Sequence, residues 1–305
     1  MIEYDPHDWR SHLLDIKGSM LRQISSRILA AVVWSALVTA GYEYWHYSIK
    51  FADRLPLLPL TVHTLVGTSI GLLLVFRTNS SYDRFWEGRR MWGNIINESR
   101  NLARLGSISL AGEPELRLRM FAWLTVFPVA AMHQLRGTVK ELGAACDQVP
   151  PAELSRALGQ QNVALAIARQ ITGCLDEARQ RGAISEYLFV ALDQNVQLLV
   201  DYLGACERIH RTPMPFSYMV HVRRVLLIYC YSLPLALVRD YDWWTIPATL
   251  FVAFVMLGIE EIGVEIENPF GTDDNDLPLE GFCETIRRNV EEMGGELTDS
   301  LDKPQ

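Results

Sequence analysis

The sequence has no excess of basic charge, no paired cysteines and no catalytic signature, and each lack removes a class of function. Lys and Arg total 28 against 36 Asp and Glu, a formal net charge of −8, with a pI near 5.4. No broad basic surface for a nucleic-acid partner is implied. The five cysteines, Cys146, Cys174, Cys206, Cys230 and Cys283, are dispersed, odd in number and form no CxxC. They read as reduced thiols and not as a disulfide frame or a zinc site. There is no HExxH, GxSxG, P-loop or GxGxxG in a strand-to-helix context. The histidines (His7, His12, His46, His63, His133, His210 and His221) show no ligand spacing, so nothing points to an enzyme. The N-terminal stretch MIEYDPHDWRSHLLDIKGS is polar and mixed in charge, unlike a cleavable signal peptide. Internal repeats and low-complexity tracts are absent.

What the chain does have is long uncharged runs. Leu57–Phe76 carries no formal charge, over about the 20 residues that cross a bilayer as a helix. Gly67 and Gly71, four apart, share one side and let another backbone approach. Thr68, Leu72 and Phe76 step by four and form a stripe on the adjacent side. Arg77, Arg84, Arg89 and Arg90 follow directly, as basic residues do at a cytoplasmic exit. A plain anchor or a buried core helix would share the uncharged run, but not the combination of packing side, separate stripe and basic exit.

The rest of the chain falls into place around this span. Trp9, Leu13, Leu14 and Ile16 give the N-terminal segment one apolar side. A first span begins near Ile24, behind Arg22 and Arg27, and ends among Tyr42, Tyr44 and Trp45, residues suited to a membrane interface. Lys50–Pro59, with Pro56 and Pro59, reads as a turn outside the membrane. From Arg77 to about Val222 the pattern is helical and soluble in character. Ile96, Leu102, Leu105 and Ile108, then Leu116, Met120, Leu124 and Phe127, recur at helical spacing, and Gly112-Glu113-Pro114 and Val149-Pro150-Pro151 punctuate it. Phe121–Met132 is too short for a span and holds Pro128, so it reads as a core helix. Arg223 and Arg224 introduce a third apolar run, broken by Pro234, and Trp243–Ile259 is a fourth. Four crossings put both termini on the cytoplasmic side. The fourth run ends in IEEIGVEIENPFGTDDNDLPLE, where Asn268-Pro269-Phe270-Gly271 turns the chain beside carboxylates. That mixture of oxygens suits a hard cation such as calcium, or a plain acidic surface loop, and it lacks the EF-hand pattern.

Three strings, FRTNSSYDRFWEGRRMWGNIINESRNLAR (Phe76–Arg104), CERIHRTPMPFSY (Cys206–Tyr218) and IENPFGTDDNDLPLE (Ile266–Glu280), together with the four-span layout, resemble the bestrophins, and among them the bacterial members. The resemblance implies an all-α, multi-pass membrane protein with four transmembrane helices and a large cytosolic helical domain, assembled as a homopentamer around one ion path in the cell (inner) membrane. It divides the chain into an N-terminal segment with two spans (1–76), a cytosolic helical domain (77–222), a second transmembrane hairpin (223–264), and an acidic loop with a tail (265–305). The family's pore neck falls on Thr68, Leu72 and Phe76, the stripe already picked out by spacing. Thr68 departs from the aliphatic residue usual there. A cytosolic aperture is placed at Ile184 or Leu188. The family's calcium clasp corresponds to Asp273 and Asp276, with Asn268 and Glu265 as backbone donors, although Thr272 and Asn275 interrupt the acidic run.

The expected function is a channel for small monovalent ions, with chloride as the family default and monovalent cations as the alternative. Its partners would be further copies of itself, the lipid bilayer and small inorganic ions. A secondary transporter is a weaker fit, because no span is paired as an inverted repeat.

Overall fold

The structure is a computed structural model and describes residues 19–49, 58–145 and 149–295. The expected N-terminal apolar side, most of the turn before Pro59, and Cys146 lie outside those residues. The described chain is helical, without a strand: α1 (Leu21–Tyr44, continued by a π turn to Ile49), α2 (Leu60–Ser109), α3 (Pro114–Arg136), α4 (Pro151–Leu158), α5 (Val163–Gln180), α6 (Glu186–Arg211), α7 (Phe216–Tyr241), α8 (Thr245–Glu265) and α9 (Leu279–Gly295). It divides into two compact units, one of Met1–Phe85, Pro213–Asn268 and Asp273–Asn275, the other of Trp86–Thr212, Pro269–Thr272 and Asp276–Gln305. Helix α2 contributes to both. It does not stop after its apolar run but continues for 50 residues, about 75 Å at 1.5 Å per residue.

Among the described residues three helical stretches are long and apolar enough to cross a membrane: Leu21–Tyr47, Leu60–Ser109 and Phe216–Glu265. The third is two helices, because the chain turns at Asp242, whose φ of 45° is the one positive value among described non-glycine residues. Arg223 near the start of α7 reaches Glu260 near the end of α8 at 3.0 Å, so the two helices fold back as a hairpin. Pro234 does not end α7. It removes one backbone N–H, and the carbonyl of Tyr231 accepts from Trp34 Nε1 on α1 at 2.8 Å. The core gathers Ile24 and Ala31, Ile70 and Leu74, Val222, Leu226, Tyr229 and Cys230, and Ala253 and Leu257.

Helices in lipid gain little from apolar burial against one another and associate through close approach and hydrogen bonds. Both are present. A methyl at Gly67 would lie 2.5 Å from Tyr229 Oη. His63 Nε2 meets Ser232 Oγ at 3.0 Å, and Ser35 donates to Thr249 at 3.3 Å. Gly71 differs from the sequence expectation, since nothing lies within 4 Å of a methyl placed there. Of this pair only Gly67 serves close packing.

The second unit is built on the far half of α2, with α3 at its centre. Trp123, Leu124, Phe127, Ala130 and Ala131 are fully buried, which places the Phe121–Met132 run in a core, as its length implied. On this part of α2 the buried positions are Gly88, Trp92, Ile95, Ile96, Ser99, Leu102, Ala103, Gly106 and Ser107. Ile108, expected in that row, is 71% exposed: it stands nine residues from buried Ser99, about 180° around the helix, on the face turned away from the core. Helix α3 stops at Gly137, whose φ of 72° lets Thr138 N–H reach His133 O at 2.9 Å, a left-handed ending open to glycine. Asn162 and Ser185 cap α5 and α6 by accepting from the amides of Leu165 and Leu188.

The four described cysteines are free and buried. Burial, reinforced by neighbouring carboxylates, pushes the Cys206 and Cys283 thiols up to about 12. With such pKa values only about one thiol in ten thousand is ionised at pH 8, and the thiolate is the reacting form. A water-soluble maleimide is therefore expected to leave both unmodified in the folded protein and to label both after denaturation. Labelling of either within minutes at pH 8 would show that this core opens readily.

Candidate functional site

Along the first part of α2 the buried positions are His63, Gly67, Ile70, Leu74, Arg77 and Ser81. They step by three and four and so make one continuous stripe. Leu72 stands nine residues from both His63 and Ser81, about 180° around the helix at 100° per residue. It points directly away from the protomer's own core. Leu72 is 57% and Phe76 58% exposed, whereas Ile70 and Leu74 are at 2% and 1%. Thr68 is exposed too, and its hydroxyl donates back to Thr64 O at 2.9 Å. One helix thus presents a hydroxyl, a leucine and a phenylalanine, one turn apart, on a face that no described part of the protomer covers.

Behind this face the helix is held by charge. Arg77 is completely buried, with Nη1 3.4 Å from Glu260 and Nη2 3.8 Å from Glu267. Its guanidinium makes no hydrogen bond of good geometry, so the attraction is mainly ionic. Glu260 is itself 2% exposed and also meets Arg223 at 3.0 Å and Arg27 at 4.0 Å. Glu261 takes Arg27 at 2.9 Å. Gly263 makes room for the arginine, since a methyl there would lie 3.2 Å from Arg77 Nε. Tyr218 Oη donates to Leu73 O at 3.0 Å, and Arg84 Nε to Glu267 O at 3.2 Å. Arg77, read from the sequence as the first of the basic residues past the span, is the buried centre of a clamp joining α2 to α8. The fourth apolar run ends in glutamates because the arginines that answer them come from α1, α2 and α7.

Of the two residues expected at an aperture, Ile184 is 4% exposed and packed inside the second unit. Leu188 is partly exposed in the first turn of α6, beside Tyr187 and Val190, which are 91% and 63% exposed.

Residues 1–292 match the family model for bacterial and fungal bestrophin proteins. The chain belongs to the bestrophin family. A voltage-dependent anion channel-forming protein of Nostoc sp. is 37% identical over 292 residues, covering 93% of this chain and 91% of the relative. One of the same description from Escherichia coli K12 is 31% identical over 300 residues, covering 97% and 95%. The crystal structure of a bacterial bestrophin homologue from Klebsiella pneumoniae superposes with a TM-score of 0.83 at 30% identity, covering 89% of this chain and 98% of that one.

The acidic loop of this bestrophin, which the resemblance aligns with a calcium clasp, is tied into the fold by its own protein partners. Among the described residues no group of three or more His, Cys, Asp or Glu stands close enough to hold a metal ion. Asp276 is 3% exposed, and Asp273, Asn275 and Asp276 already have protein partners. Glu265 accepts from the Asn275 side chain. Cations already sit on the loop's carbonyls: Arg84 on Glu267, and Arg136 on Phe270 at 3.2 Å. Arg136 also pairs with Glu280, and Pro269 O takes Leu277 N–H at 3.0 Å. Pro269 and Phe270 lie 3.0–3.1 Å from a methyl placed on Gly88, so that end of the turn is wedged against α2. Calcium up to about 1 mM, the weak end of protein calcium sites, is therefore expected to leave thermal stability unchanged. A calcium-dependent rise in melting temperature, abolished by Asp276→Ala, would show that the loop binds calcium.

The sequence reading missed the Arg77–Glu260 pair. A signal was available: isolated arginines at the near ends of three apolar runs, and a glutamate pair where the fourth should have had its own.

Proposed function

We propose that the chain assembles as a homopentamer in the cell membrane, with four crossings per subunit and both termini cytoplasmic, and conducts small monovalent ions along the five-fold axis. The turn at Asp242 supports four crossings over three. The neck would be lined by Thr68, Leu72 and Phe76, and a second narrowing would fall at Leu188. The observation that carries this reading is the exposed stripe on α2, directed away from the protomer core on a helix whose back is clamped. Rings of leucine and phenylalanine hold a short hydrophobic passage that conducts when wide and dewets when narrow. Exposed Tyr44, Trp45, Tyr47, Tyr241, Trp243 and Trp244 gather at the end of the first unit opposite the arginine clamp, as an interfacial belt would.

The relatives are named as anion channel-forming proteins, with chloride as the family default and monovalent cations as the alternative. The neck does not choose between them, since none of its three residues is charged. Recording from the purified protein in a planar bilayer tests the proposal. Discrete current steps from a particle of pentameric mass are expected. Saturable flux without steps would instead favour a carrier.

A further inference from the structure

We infer that Asp83 sets the sign of the permeant ion and biases the passage toward monovalent cations. This rests on the proposed neck. Helix α2 carries three charged residues within the first unit, Arg77, Asp83 and Arg84, and they are segregated. Arg77 is buried against Glu260, and Arg84 is partly buried with its Nε on Glu267 O. Asp83 alone is exposed. It lies eleven residues from Leu72 and seven from Phe76, within about 20° of each around the helix. It is thus on the neck face, about 10 Å beyond the phenylalanine at 1.5 Å per residue.

Asp83 makes no hydrogen bond or ion pair with a described residue, whereas Glu87, one turn on, is met by Arg208 at 3.3 Å. The next charge on the same face is Arg90, seven residues from Asp83 and outside the three- or four-residue reach of a helical ion pair. In a five-fold assembly Asp83 becomes a ring of five unneutralised carboxylates next to an uncharged constriction. About 10 Å is close to one Debye length at physiological salt, and low-dielectric walls reduce the screening further. Carboxylate rings at such mouths favour cations. Arg77 and Arg84, the arginines nearest to Asp83 on α2, are turned off this face toward Glu260 and Glu267, and Arg90 stands about 10 Å further along the helix.

The test is the reversal potential of single channels in a tenfold KCl gradient, for the unaltered protein and for Asp83→Asn, Asp83→Glu and Asp83→Lys. The unaltered channel is expected to prefer potassium. Asp83→Asn should lower the cation-to-anion permeability ratio by about tenfold, the lower end of the enrichment a charged cleft produces. Asp83→Glu should preserve the ratio and Asp83→Lys should invert it. An exposed, unbonded side chain can be changed without cost to the fold, so the variants should keep the melting temperature and the oligomer mass. Chloride preference in the unaltered channel overturns the inference, and so does an unchanged reversal potential in Asp83→Asn. In either case the neck reading survives if Leu72→Ala still raises conductance. Absence of any current from the unaltered protein removes the neck reading and this inference together.

Discussion

Replacing Leu72 by alanine is expected to raise single-channel conductance and leave the oligomer intact. Each subunit loses three heavy atoms from the narrowest part of the proposed passage, and in a pentamer the loss repeats around the whole ring. Dewetting of a hydrophobic constriction depends steeply on its width, so widening one ring relieves the barrier. Phe76→Ala should act in the same direction, and Thr68→Ala less, because the hydroxyl ring is the more easily wetted. Leu74→Ala is the internal control. Leu74 is two residues from Leu72 on the same helix but 1% exposed. Its truncation should leave a cavity costing about 2–5 kcal/mol and no gain in current. Single-channel recording, with melting temperature and oligomer mass on the same preparations, separates the two behaviours. If Leu72→Ala instead loosens the oligomer at unchanged conductance, the stripe is a contact between copies and not a pore lining.

The largest loss of stability is expected from Glu260→Ala. That carboxylate is the common partner of Arg27, Arg77 and Arg223, and removing it strands Arg77 with Glu267 at 3.8 Å as its remaining partner. Arg27 and Arg223 are nearly half exposed and can turn to water or headgroups, whereas Arg77 is fully buried. Breaking a buried pair from one side costs about 3–5 kcal/mol, largely as the penalty of an uncompensated charge, while removing both partners often costs far less. Arg77→Met combined with Glu260→Ala should therefore be more stable than Glu260→Ala alone. This ordering is read from melting temperatures in detergent. A Glu260→Ala protein as stable as the unaltered one would mean that the clamp contributes little. Because the clamp sits directly behind Phe76, the single variant should also show unstable current levels at temperatures where it is still folded.

Some features of this protein were set by short-range regularities that a single sequence displays. Uncharged length marks an apolar helix without knowledge of its neighbours, and a four-residue step puts Thr68, Leu72 and Phe76 on one face of any α-helix. The strings around Arg84, His210 and Asn268 are long enough to identify the bestrophin family by themselves. Which face is turned inward is not a local property. Gly67 and Gly71 have the same spacing and chemistry, and only the arrival of Tyr229 from α7 gives the first a packing role. Ile108 and Leu102 are both apolar residues of one helix, yet about 120° apart around it, and only the packing of the second unit shows that the first is bare and the second buried. Arg77 resembles an ordinary basic flank until Glu260, far along the chain, is folded against it. Arg84 and Arg136 lie far from the acidic loop in sequence, and only folding sets them on its Glu267 and Phe270 carbonyls. Period and hydropathy are fixed by residues a few positions apart, so the sequence decided them alone. Partner, burial and the fate of each charge depend on residues that only the tertiary structure brings into contact.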